Sequence, residues 1–149
     1  MKYHMLYLYI LLTMFTSCDK KDEQNQSTLI DVILEFSFED NNGNDLLNPA
    51  FTNSYKHEDL KVYCLDNGDE SILANNESLH FISNERGVYT LFIPLSHDTT
   101  YLKLSEDITD TIRSEHEIGS NYNYIIKVWY NSNLVWNRDA ETALVKIVK

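Results

Sequence analysis

The run Leu29-Ile30-Asp31-Val32-Ile33-Leu34-Glu35-Phe36-Ser37-Phe38-Glu39 decides the fold class. Ile30, Val32, Leu34, Phe36 and Phe38 fall on one face of an extended chain, with Asp31, Glu35, Ser37 and Glu39 on the other, the period-two pattern of a half-buried strand. The same alternation continues outward. Leu60, Val62 and Cys64 mark a second strand, Leu79 and Phe81 a third, Val88 to Leu95 a fourth, Tyr101 to Leu104 a fifth and Tyr122 to Tyr130 a late one. Gly43, Gly68, Gly87 and Gly119 all fall between these runs, where turns are expected. Ser105 to Gly119 fits a short helix or a strand, and its β-branched content, with Ile108, Ile112, His116 and Ile118 on one face, favours the strand. Residues 143–148 are a further strand candidate. Roughly seven to nine short strands without a long helix predict an all-β domain, an antiparallel, immunoglobulin-like β-sandwich, with a small closed barrel as the alternative.

Upstream of this domain the chain changes character. Lys2 precedes a largely apolar stretch from Met5 to Phe15, which is shorter than the ~20 residues that span a bilayer. Thr16, Ser17 and Cys18 follow, and residues 19–28 carry no aliphatic or aromatic side chain. This organisation reads as a signal peptide over residues 1–17, a flexible tether over 18–28 and a single domain over 29–149.

Phe15-Thr16-Ser17-Cys18 resembles the lipobox of bacterial lipoproteins, which implies cleavage before Cys18 and acylation of that cysteine. The charged tract from Asp19 to Glu23 resembles those of Bacteroidota lipoproteins displayed on the outer membrane, although an aspartate directly after the cysteine directs enterobacterial lipoproteins to the inner membrane. Asn44 to Pro49, Asp110-Thr111-Ile112 and the hairpin from Tyr122 to Trp136 are similar to segments of small Bacteroidota lipoproteins. The resemblance implies a lipid anchor, an outer-membrane and surface-exposed address, and a sandwich architecture. It transfers no catalytic or binding residue. Asp98-Thr99-Thr100 and Asp110-Thr111-Ile112 also resemble the O-glycosylation acceptor motif of exported proteins of that phylum, which makes Thr99 and Thr111 candidate modification sites.

Cleavage before Cys18 leaves 11 Lys and Arg against 23 Asp and Glu, a mature charge of −12 with His neutral. No basic cluster remains outside the tether, which excludes a nucleic-acid partner and leaves the lipid anchor as the membrane contact. With Cys18 acylated, Cys64 has no partner for an intrachain disulfide and reads as a small buried hydrophobe. His57, His80, His97 and His116 are widely spaced. Asp40 to Asp45 is rich in oxygen donors, yet the acid that an EF-hand places at its twelfth position would here be Phe51, so the run reads as a solvated turn. Asn67-Gly68 reads as a hairpin turn. No cofactor or metal motif and no catalytic motif is present, and the chain is not expected to be an enzyme.

Three functions are ranked on this basis: a surface module that binds a glycan or an envelope protein, a structural or accessory subunit of an outer-membrane complex and, more distantly, a hydrolase. An exposed aromatic platform favours the first, an apolar patch the second, and a cleft with two close carboxylates the third. The candidate ligand contacts are Trp129 and Trp136. A two-residue turn at Asn131-Ser132 or Ser132-Asn133 would set both indoles on one face, as a stacking surface or as part of the core, whereas a three-residue loop would split them.

Overall fold

The computed structural model describes residues 29–79, 81–83, 87–140 and 142–149. The expected signal peptide, Cys18, the tether and His80 lie outside the described residues. Among the described residues the domain is all-β, with eleven strands and one 3-10 turn, His57–Asp59. β1 (Leu29–Asp31), β3 (Lys61–Asp66), β4 (Asp69–Asn75), β7 (Thr99–Lys103), β8 (Thr109–Ile118), β9 (Tyr122–Tyr130) and β10 (Asn133–Asn137) form a seven-stranded sheet. Its order is β1-β9-β8-β7-β3-β4, and β10 also pairs with β9. β2 (Ile33–Glu39), β5 (Phe81–Ser83), β6 (Tyr89–Pro94) and β11 (Leu144–Val148) form a second sheet in the order β11-β2-β6-β5. Both sheets curl strongly into a half-barrel, which joins features of the sandwich and of the barrel.

The opening run makes strands as its alternation predicts, but it changes sheets at Val32. Leu29 to Asp31 pair with β9, while Ile33 to Glu39 pair with β6 and β11. Leu34, Phe36 and Phe38 reach the core. Ile30, expected on the same buried face, is 65% exposed, because beyond the switch it belongs to the edge of the other sheet. Pairing is antiparallel except for β1 with β9 and β2 with β11. The 105–119 segment becomes β8, whose Ile112 is buried; Ile108, in the turn before it, and Ile118, at its end, are both exposed.

Between the sheets, Phe36, Phe38, Leu91, Ile93, Val62, Leu102, Ile112 and Val128 are wholly buried. Each such side chain contributes about 1.5 to 3 kcal/mol by leaving water. Leu46 and Leu47 close the core from the loop after β2, and Tyr55 meets Phe38 edge-on at 6.5 Å between ring centroids. Cys64 is buried with its thiol free. In the turn that follows β2, Asp40 accepts from Asn44 Nδ2 and from the backbone N–H groups of Asn44 and Asn42 at 2.8 Å each, and these bonds, the one from the Asn44 side chain first, lower its carboxyl pKa. Asn67 and Gly68, with φ of 52° and 94°, make the two-residue β3–β4 turn.

Candidate functional site

The inward residues of the larger sheet determine what its other side presents. Since Val62, Leu102, Ile112 and Val128 point into the core, their strand neighbours Lys61, Tyr63, Tyr101, Lys103, Thr111, Arg113 and Trp129 point out. Strand register aligns these neighbours in three rows. The first runs Asn75, Lys61, Lys103, Thr109; the second Ile72, Tyr63, Tyr101, Thr111; the third Thr99, Arg113, Trp129, Leu134. None of these twelve positions is an aspartate or a glutamate, in a chain that carries 23.

Aromatic rings and cations interleave across the rows. Tyr63 and Tyr101 stack at 5.2 Å with an interplanar angle of 18°, and the Lys61 ammonium lies 4.8 Å from the Tyr63 ring. The Arg113 guanidinium lies 3.7 Å from the Trp129 ring. Farther along β9, the register shift between Glu115 and His116 passes over Ile126, so that Tyr122 and Tyr124 join the outer face while Ile125 stays buried. These two rings stack at 5.0 Å, and the Arg138 guanidinium sits 4.1 Å from Tyr124. Lys61 is paired with Glu70 at 2.5 Å and Lys127 with Glu115 at 3.4 Å. Among the described residues, Lys103, Arg113 and Arg138 have no carboxylate within ion-pair distance. A hollow of about 360 Å³ beside the first row is lined by Lys61, Ile72 and Lys103 and also by Glu58, Asp59 and Glu106.

The paired-tryptophan expectation needs correction. The β9–β10 turn does use two residues, Asn131 and Ser132, with φ of 46° and 73°. A bulge between Leu134 and Trp136 then sets Trp136 opposite Val128 instead of Lys127. Trp136 therefore packs on the core side and donates from Nε1 to the Thr142 carbonyl at 2.9 Å, while Trp129 stays outside under Arg113. The two indoles do not form one platform. Thr99 and Thr111, the candidate modification sites, both lie on the outer face, Thr99 half-buried and Thr111 exposed. Asp110, which precedes Thr111 in its motif, points inward and is buried.

Asp110 is the centre of a network that sequence reading missed. Its carboxylate accepts from the Tyr130 hydroxyl and from Asn131 Nδ2, the latter at 2.6 Å, and pairs with the Lys149 ammonium. Burial pushes the Asp110 carboxyl up, but the bonds from Asn131, Lys149 and Tyr130 together outweigh it and leave the pKa below the usual value. Burial first, and then the bond to Asp110, push the Tyr130 phenol well above its ordinary value.

A second inner cluster links Ser114, His116 and Asn123. His116 Nε2 is 2.9 Å from Ser114 Oγ, and its Nδ1 is 3.1 Å from Asn123 Oδ1, a spacing reminiscent of a hydrolytic triad. Ser114 Oγ, however, donates its single hydrogen to the His97 carbonyl at 2.8 Å, and the Ser114 N–H donates to the Asp98 carbonyl at 3.0 Å. His116 Nε2 must then donate to Oγ, the reverse of what a general base does. The arrangement clamps the 97–98 turn to β8. No protein-family model, curated protein or solved structure matches this chain.

Proposed function

We propose that the protein is a lipid-anchored cell-envelope binding module whose ligand, a glycan or an envelope protein, lies on the outer face of the seven-stranded sheet. The supporting observation is the set of three acid-free register rows in which aromatic and cationic side chains interleave on a strongly acidic chain, with Glu70, Glu115 and Glu117 at their margins. A sheet face held only for solubility on such a chain needs neither Tyr63 stacked on Tyr101 nor an outward indole. Replacing Tyr63 and Tyr101 together by alanine should abolish binding to a glycan panel and to intact envelope fractions while circular dichroism stays unchanged. Binding that survives the double substitution would remove the face from the reading.

Cys18 supplies the anchor in this proposal, and the resemblance of Phe15 to Cys18 to a lipobox supports it. Two or more acyl chains hold a protein on a bilayer without help from its folded surface. No helix among the described residues is long and apolar enough to span a membrane. Cys18→Ala should leave the precursor uncut and eliminate metabolic labelling with a fatty acid.

A second reading, an accessory subunit of an outer-membrane complex, is favoured by one feature at the end of the larger sheet. Ile30, Asn123 and Ile118 lie in one register row, and both isoleucines are uncovered, Ile118 at 72% exposure. A photoreactive residue at position 118 should capture a protein neighbour in cells if this reading holds.

A further inference from the structure

Within the binding-face reading on which this step rests, we propose that the ligand is an anionic polysaccharide, bound through its carboxylate or sulfate groups by Arg113, Lys103 and Arg138. A neutral sugar would stack on a bare ring. Here the Trp129 and Tyr124 rings already carry guanidinium groups, at 3.7 and 4.1 Å. A guanidinium held against an aromatic face keeps its N–H groups in its own plane, where they can meet a carboxylate or sulfate with two parallel bonds. The stacking also restrains the long arginine side chain before the ligand arrives, which lowers the entropy lost on binding.

The absence of internal partners is the second part of the argument. With nearly twice as many acids as bases in the chain, Lys56, Lys103, Arg113 and Arg138 still form no ion pair among the described residues, whereas Lys61, Lys127, Lys146 and Lys149 all do. Of these, Lys103, Arg113 and Arg138 share the outer face while Lys56 lies in the loop before β3, and Arg113 has no acid in its own register row. Thr99, Thr109 and Thr111 stand beside the cations and can exchange hydrogen bonds with sugar hydroxyls. Each row crosses four strands, about 14 Å at the usual spacing, which suits an elongated chain better than a single small molecule. A nucleic acid fits poorly, since its dense charge would meet only a few cations against the repulsion of a chain with a formal net charge of −11.

The test uses the full acylated chain in detergent and affinity electrophoresis through gels containing polygalacturonate, its methyl ester, dextran sulfate or dextran. The expected result is retardation by at least one charged polymer and none by the ester or by dextran. Retardation by polygalacturonate alone identifies a carboxylate ligand, and by dextran sulfate alone a sulfate ligand. The effect should fall at least tenfold in Arg113→Gln and in Arg138→Gln, and weaken between 50 and 200 mM salt. Lys146→Gln, on the outward side of the smaller sheet, should change nothing. If neither charged polymer retards the protein, or if Lys146→Gln weakens retardation as much as Arg113→Gln, the inference is overturned. If the ester or dextran is bound and Tyr63→Ala with Tyr101→Ala abolishes that binding, the face is a binding face with a neutral ligand, so the inference fails and the function stands. If all four polymers fail and the tyrosine pair also leaves envelope binding untouched, both fall.

Discussion

Asp110 and Arg113 lie three residues apart on β8, on opposite faces of the same sheet, and their charges are treated in opposite ways. The Asp110 carboxylate is buried, and Tyr130, Asn131 and Lys149 together hold both its oxygens. Arg113 is exposed and meets an indole instead of an acid. The inner charge joins the start of β8, the end of β9 and the residue after β11, so its role is to hold the ends of three strands together. The outer charge joins nothing that the fold requires. On one strand, then, full hydrogen-bond satisfaction marks a structural group, and a charge without a carboxylate partner marks the face proposed for ligand binding.

The largest expected effect lies on the inner side. Phe36, wholly buried beside Phe38, has no means of relaxing into solvent, and Phe36→Ala should destabilise the domain by about 3 to 5 kcal/mol in urea denaturation. Asp110→Asn should cost about 2 to 4 kcal/mol, because Lys149 is left with a partly buried ammonium and no carboxylate. An equal stability in the Asp110→Asn variant would mean that the network is incidental and would dissolve the contrast with Arg113.

The same carboxylate predicts a pH dependence. A folded pKa held below the unfolded value of about 3.9 contributes stability above that pH, and the contribution is lost as the pH falls through the folded value. Wild-type stability should therefore drop on acidification below about pH 4, and the drop should be smaller in Asp110→Asn. If the two acid limbs run parallel, the native bonds to Asp110 do not lower its pKa.

The difference between the two faces was only partly legible in the sequence. Alternation at Leu34, Phe36 and Phe38 located the core correctly, since burying those side chains dominates the energy of that strand. The change of sheet at Val32 left no trace, because the alternation continues through it while the pairing partner changes. The bulge that separates Trp129 from Trp136 was equally silent, as the extra residue is an ordinary valine. In the sequence Asp110 belongs to a local Asp-Thr-Ile string, whereas its partners lie 20 to 39 residues away and only folding brings them to it. Ser114 and His116 did carry a local signal: residues two apart on a strand share a face. The outer field follows from the registers of six strands, which no single stretch encodes.

On the outer side the stability effects should be small. Arg113→Gln should change the unfolding free energy by no more than about 1 kcal/mol, the strength of the one exposed cation–π contact it removes, even as it weakens retention of a charged polymer. The finest test concerns the contact that holds the guanidinium in place. In a double-mutant cycle of Arg113→Gln and Trp129→Leu, measured by urea denaturation, the coupling should be about 0.5 to 1 kcal/mol, the strength of an exposed cation–π pair. Such a coupling means that the indole positions the guanidinium in the absence of ligand, so Trp129→Leu alone should weaken the retention of a charged polymer although it removes no charge. A coupling indistinguishable from zero would mean that Arg113 samples solvent freely, and the outer face would then attract anions without pre-orienting the group that grips them.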